Sequence, residues 1–225
     1  METILVIISA GTEWREVKQY YRPFDILESP YGEYFEKWID QKKLIFFQGG
    51  WGKISAAASA QYAICHFSPG LVINLGTCGG FEGLVNRGEI ILATQTVVYD
   101  IIEQMGDPEE AIRFYSTDLN LDWIRQPYPL PVRAMRLVSA DRDILAEDIP
   151  GLKEKHSAVA GDWESGAIAW VAERNNLHCL ILRGVSDLVS DEGGEAYGSK
   201  HVFESGTAMV MKILLDSLPE WVKQM

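Results

Sequence analysis

Leu71-Val72-Ile73-Asn74-Leu75-Gly76-Thr77-Cys78-Gly79-Gly80 decides the fold class. Residues 71–75 are apolar except at Asn74, as a strand covered on both faces requires. Five small residues follow at once and read as the turn that closes the strand. The same grammar recurs along the chain. Residues 4–9 open it with another apolar strand, followed by a helix over 12–21 with Thr12 as its N-cap. Residues 44–48 read as a short strand. The glycine loop Gly49-Gly50-Trp51-Gly52-Lys53 then leads into an alanine-rich helix over 54–66.

Downstream, residues 89–96 are rich in β-branched side chains and read as a strand. Residues 100–131 carry Pro108, Pro127, Pro129 and Pro131 and read as an excursion from the core. A brief strand covers 136–139. Residues 158–161 lead into Gly161-Asp162-Trp163-Glu164-Ser165-Gly166-Ala167-Ile168-Ala169, whose helix runs to about residue 175. Residues 179–185 form the last buried strand, ending in Arg183-Gly184-Val185-Ser186-Asp187. A helix over 202–218 is expected to stop at Pro219. Strands alternating with helices predict one α/β domain over 1–225, a three-layer α/β/α arrangement whose central mixed, twisted sheet is covered by helices. Ligands then belong at the strand ends.

Composition narrows the partners. Thirty-two acidic and 20 basic side chains give a net charge of -12 over 225 residues. Such a chain repels phosphate backbones, and no Lys or Arg cluster offsets this, so no nucleic-acid role is expected. No apolar run reaches membrane-spanning length. Residues 4–10 are too short for a signal-peptide core and only Glu2 is charged before them, so no membrane role and a cytoplasmic location are expected. Cys65, Cys78 and Cys179 are odd in number and unpaired in spacing, hence reduced, with Cys65 and Cys179 as packing residues. His66, His156, His178 and His201 lack metal-ligand spacing, so neither metal nor cofactor is expected.

The glycine loop, Val72–Gly80, Trp163-Glu164-Ser165 and Arg183–Asp187, in that order, resemble the purine nucleoside phosphorylase and nucleosidase superfamily. Within it the chain is most similar to the 5′-methylthioadenosine/S-adenosylhomocysteine nucleosidases, over nearly its whole length. The resemblance implies a phosphorylase/hydrolase-like fold and cleavage of the N-glycosidic bond of a purine nucleoside. That reaction builds positive charge on the ribose and negative charge on the base, and a protein accelerates it by stabilising both. Glu164 would hold the ribose hydroxyls and favour an oxocarbenium-like sugar, with Trp163 where the family has Met. Asp187, oriented by Ser186, would protonate the departing base, which requires a raised pKa. Arg183 would hold the attacking water or anchor Glu164. Glu13 or Glu16 would activate the water, Glu13 being preferred because it is nearer the strand end.

The resemblance also implies a lining of Trp51 at the 5′ substituent, Thr77 and Gly79 as further substrate contacts, Ser139 and Asp143 at the base, and Tyr197 closing over the sugar. The family often stacks an aromatic on adenine at the position of Asp143. Phosphorylases of the superfamily need several donors for phosphate, and Gly11, Arg15 and Thr77 could supply some. Asn74, however, stands where those phosphorylases carry a second arginine, as in the nucleosidases. Water is therefore the expected nucleophile, with a phosphorylase as the alternative. A nucleoside-binding module without catalysis is a third reading, opposed by the presence of both Glu164 and Asp187. A homodimer is expected, since similar enzymes complete the pocket with a neighbouring subunit.

Overall fold

The computed structural model describes residues 3–225; Met1 and Glu2, the latter weighed above as a leader-segment charge, lie outside them. The chain begins β1 (Thr3–Ile8), α1 (Gly11–Tyr21), β2 (Leu27–Ser29), β3 (Gly32–Ile39), β4 (Lys42–Gln48), α2 (Gly52–Phe67) and β5 (Leu71–Phe81). It continues with β6 (Ile90–Val98), α3 (Pro108–Phe114), β7 (Thr117–Asp118), β8 (Arg133–Ser139) and α4 (Ile149–His156). It closes with β9 (Ala160–Asp162), α5 (Ser165–Arg174), β10 (His178–Ser190), β11 (Gly193–Gly194) and α6 (Lys200–Lys223).

All eleven strands join one mixed sheet. β1 and β10 both pair parallel to β5, and β4 pairs parallel to β1. Beyond β10, the ladder runs through β6, β8 and β9 back to β5, so this half of the sheet closes on itself. Alternation along β1 explains why its apolar run is continuous. Leu5 and Ile7 enter a core with Ala56, Ala60 and Ala63 of α2 and Ile168 and Ala172 of α5. Ile4, Val6 and Ile8 enter the opposite core with Trp14 and Val17 of α1 and Leu214, Leu218 and Trp221 of α6. Helices therefore cover both faces, as a three-layer α/β/α fold requires.

Five local expectations are corrected. Residues 76–80 are not a turn: β5 runs on to Phe81, because Gly76–Phe81 are paired with β10 and Gly79 and Gly80 also with β9. Likewise β10 continues past Val185, carrying Ser186 and Asp187 inside the strand. Thr12 is not the N-cap of α1; Ala10 is, with no side chain to cap the helix, and the Glu13 carboxylate reaches back to accept the Ala10 N–H at 3.1 Å. Pro219 does not stop α6, which carries it inside and ends at Lys223. Burying Leu218, Trp221 and Val222 on the core holds that last stretch helical, offsetting the hydrogen bond a proline removes. Cys65 is exposed on α2, whereas Cys179 is packed as expected. Among the described residues no helix is long and apolar enough to cross a membrane.

Candidate active site

A cavity of about 360 Å³ opens where the C-terminal parts of β5 and β10 meet the segments after β1 and β8. Its lining includes Glu13, Thr77, Gly79, Glu164, Ser186 and Asp187. These residues lie far apart in the chain and are gathered by strand pairing, as expected for an α/β sheet with its site at the strand ends.

Glu13 sits in the first turn of α1, where the helix N-terminus favours a carboxylate. It is buried and reaches across to β5. Its Oε1 accepts the Thr77 N–H at 2.6 Å and the Thr77 hydroxyl at 2.8 Å. Glu16, one helical turn later, does not line the cavity and lies beside Arg15 at 3.9 Å. The geometry thus separates the two glutamates that the sequence left competing. Arg15 also points away from the cavity, into an ion pair with Glu204 at 3.1 Å. Gly11 is exposed and outside the lining. Gly11, Arg15 and Thr77 therefore do not assemble into a phosphate cradle: Arg15 turns outward, and the Thr77 donors are used by Glu13.

Glu164 is the residue just before α5, and its Oε1 accepts the N–H of Gly52 at 3.1 Å. That N–H belongs to the first residue of α2, so the glycine loop delivers a helix N-terminus to the carboxylate. Gly52 adopts φ +82, a backbone that favours glycine. Arg183 lies on β10 beneath the cavity and does not line it. Its Nη2 is 3.9 Å from Glu164 Oε2, and its Nη1 is 3.8 Å from Glu13 Oε1. The guanidinium's short contacts go elsewhere: Nε donates to the Ser165 hydroxyl at 2.8 Å and pairs with Asp162 Oδ2 at 2.8 Å, and Nη2 donates to Asn74 Oδ1 at 2.8 Å. Gly76 makes room for it, since a Cβ there would lie 1.9 Å from Arg183 Nη1.

Asp162 is the functional-site residue that the sequence did not single out. It reads as a loop aspartate before a helix, and its Oδ1 does accept the Ser165 N–H at 3.2 Å. Nothing in the local pattern signals its partnership with an arginine 21 positions away. Ser139 is placed differently from expectation. It is fully buried outside the cavity, where it donates to Asp162 Oδ1 at 2.6 Å and accepts the Gly166 N–H at 2.9 Å. Ser139 holds the wall of the site and does not face a ligand.

Burial pushes the Glu164 carboxyl up to about 8, with Asp162 and Glu13 adding repulsion and Arg183 and the Gly52 N–H opposing it. An acid raised in the native state stabilises the fold fully below its unfolded value, and this contribution is lost as pH rises through the native value. Glu164→Gln should therefore gain stability relative to the wild type between about pH 5 and about pH 9, by on the order of 2 kcal/mol. Urea unfolding of both proteins at the two pH values measures this; equal pH dependence would refute it.

Asp187 owes its direction to a bulge. The register between β10 and β5 slips between Val185 and Asp187. In a regular strand neighbours point to opposite faces, yet Ser186 and Asp187 both line the cavity. The bulge re-aims them. Ser186 then donates its hydroxyl to Asp187 Oδ1 at 2.6 Å. Burial raises the Asp187 pKa, with Glu195 and Asp143 reinforcing it and the Ser186 hydrogen bond and Arg87 opposing it.

The remaining lining is aromatic and acidic. Trp51 and Trp163 stack with centroids 5.0 Å apart. Trp51 is 70% exposed, so the pair stands at the mouth. Asp143 is exposed and lines the cavity next to Ile144. Tyr197 also lines it, and its hydroxyl donates to the Ile144 carbonyl at 2.9 Å, which ties this aromatic to the Asp143 segment. Arg142 and Lys200 are the cations of the lining among the described residues; Arg142 pairs with Asp148 at 2.5 Å.

The family model described as the phosphorylase superfamily matches residues 3–217. A 5′-methylthioadenosine/S-adenosylhomocysteine nucleosidase of Maridesulfovibrio salexigens is 27% identical over 195 residues, 81% of this chain and 84% of the relative. The nucleosidase of the same name from Psychromonas ingrahamii is 24% identical over 168 residues, 69% of this chain and 73% of the relative. Among solved structures, the Campylobacter jejuni 5′-methylthioadenosine/S-adenosylhomocysteine nucleosidase superposes with a TM-score of 0.81 at 18% identity, covering 100% of both chains. The futalosine hydrolase of Helicobacter pylori gives 0.82 at 16% identity, covering 97% of this chain and 98% of that one.

Proposed function

We infer the function from the premise that this chain belongs to the phosphorylase superfamily. It is an N-ribosyl hydrolase that cleaves a purine nucleoside of the 5′-methylthioadenosine/S-adenosylhomocysteine kind with water. The observation carrying this reading is that Glu13, Glu164 and Asp187 face one cavity. Asp187, whose pKa burial raises, delivers a proton to the base as the C1′–N9 bond breaks. Glu164 accepts hydrogen bonds from the ribose hydroxyls and, once ionised, offsets the positive charge on the sugar. Glu13 takes a proton from water as its oxygen bonds C1′. Trp51 and Trp163 supply an apolar wall for the 5′ substituent. Asp143 offers a carboxylate to hydrogen-bond donors of the base.

Water is favoured over phosphate by the arginines. Arg15 is turned out to Glu204, and Arg183 is bonded to Asp162 and Asn74. A dianion would also meet three carboxylates. In phosphate-free buffer the protein should release free base and free 5′-substituted ribose from such a nucleoside, at a rate that added phosphate does not raise. Strict dependence on phosphate, with ribose 1-phosphate as product, would replace this reading by a phosphorylase.

The chain acts as one domain, in keeping with a sheet that draws strands from Thr3 to Gly194. It works in the cytoplasm as a homodimer, and three free thiols suit that compartment. Trp51, Ile54, Ile102 and Met105 are exposed, Met105 by 97%. The Lys53–Asp100 ion pair ties the glycine loop to the segment bearing the last two. A second copy covering this apolar ground would complete the mouth.

A further inference from the structure

Three carboxylates crowd one guanidinium at the bottom of the site. Asp162 Oδ2 is 2.8 Å from Arg183 Nε, whereas Glu13 and Glu164 stand at 3.8 and 3.9 Å from its Nη atoms. Asp162 is the one of the three at direct ion-pair distance, the Nε–H itself donating to the Ser165 hydroxyl at 2.8 Å, and Coulomb attraction falls with distance. Asp162 is also held from all sides. Ser139 and the Ser165 backbone bind Oδ1, the Ser165 hydroxyl binds Oδ2, and its side chain is 2% exposed. Asn74 Oδ1 occupies Nη2, and Asn74 in turn donates to the Ile7 carbonyl at 3.0 Å. The guanidinium is thus anchored on the β9 and β5 side, an ångström short of both carboxylates that line the cavity.

We propose that Asp162 is a positioning residue that holds Arg183 beneath the cavity floor and takes up its charge. Glu13 and Glu164 then keep only their longer approaches to the guanidinium, with no direct hydrogen bond to it, and stay available to water and to ribose. This rests on the nucleosidase reading for its purpose but not for its test. The groups facing Glu164 are Asp162 from β9, Glu13 from α1, Arg183 from β10 and the Gly52 N–H of α2, with the Cys78 thiol of β5 close to Asp162 and Arg183. Removing the Asp162 charge leaves an uncompensated guanidinium next to Glu164 and favours its ionised form.

The test reads ionisation without turnover. Trp163 lies between Asp162 and Glu164 in the chain, so its fluorescence in the ligand-free protein should report the Glu164 titration. The step should be present in the wild type and absent in Glu164→Gln. Asp162→Asn keeps an acceptor for Arg183 and loses the charge; its step should move down by about one pH unit or more. Ser139→Ala, which removes a hydrogen bond and no charge, should leave the midpoint within about 0.3 unit. Asn74→Asp, which sets a further carboxylate on Nη2, should move the step upward, and it tests the idea independently if Asp162→Asn fails to fold. An unmoved midpoint in folded Asp162→Asn or Asn74→Asp overturns the proposal. So does a Ser139→Ala shift as large as that of Asp162→Asn, which would make the role one of geometry alone. Loss of turnover in the wild type would instead remove the nucleosidase reading and leave the titration result standing.

Discussion

Asp187→Asn should lower turnover of an adenine-type nucleoside by about 10³-fold or more while substrate affinity changes only several-fold. The substitution is nearly isosteric. Asparagine can still accept the Ser186 hydroxyl, now 2.6 Å from Asp187 Oδ1, so the bulge and cavity wall should persist. What disappears is the proton for the base. A purine anion is a poor leaving group, and its departure accounts for much of the barrier. A ribosyl substrate with a leaving group that needs no protonation, such as p-nitrophenolate, bypasses that demand. Asp187→Asn should hydrolyse it within about tenfold of the wild-type rate. Equal losses on both substrates would deny Asp187 the role of general acid. The sign of its pH dependence follows from its raised pKa. The active form is protonated, so a higher native pKa carries activity upward in pH, and activity declines as pH passes through that value.

Glu13→Gln should cost about 10²- to 10⁴-fold in kcat with both substrates. Its amide oxygen can still accept from the Thr77 N–H, now at 2.6 Å, and from the Thr77 hydroxyl, now at 2.8 Å. The local frame therefore survives, and the loss is that of a proton acceptor for water. Because water must attack C1′ whatever group leaves, a better leaving group should not rescue this variant. That contrast with Asp187→Asn assigns the two carboxylates to the two sides of the reaction. Glu16→Gln provides the control, since Glu16 lies outside the cavity beside Arg15; its activity should stay within about twofold. A Glu16→Gln loss matching that of Glu13→Gln would move the base to Glu16.

Both experiments trace back to features of unequal legibility. The buried strands were legible because a strand covered on both faces needs an unbroken apolar run, and residues 4–8 and 71–75 supply one. Helix α2 was legible from its alanines. Strand β3, Gly32–Ile39, carries the charged and exposed residues of a sheet edge region, and an edge strand need not show the apolar run that reveals a central one. Residues 76–80 carry the composition of a turn for a related reason. Small residues there answer a tertiary demand, the space for Arg183 and Glu13 over Gly76, and not a local one for chain reversal.

By itself the sequence determined which chemistry-bearing residues the protein owns and which segments carry them, because helix and strand periods and motif spacing are local properties of the chain. It could not determine where those side chains point. A one-residue bulge at Ser186 turns two neighbours toward one cavity. The helical turn between Glu13 and Glu16 sends one glutamate inward and leaves the other beside Arg15. Strand pairing brings Asp162 and Asn74 to the same guanidinium. Those outcomes depend on register and packing between segments distant in the chain, so only the tertiary structure decided them.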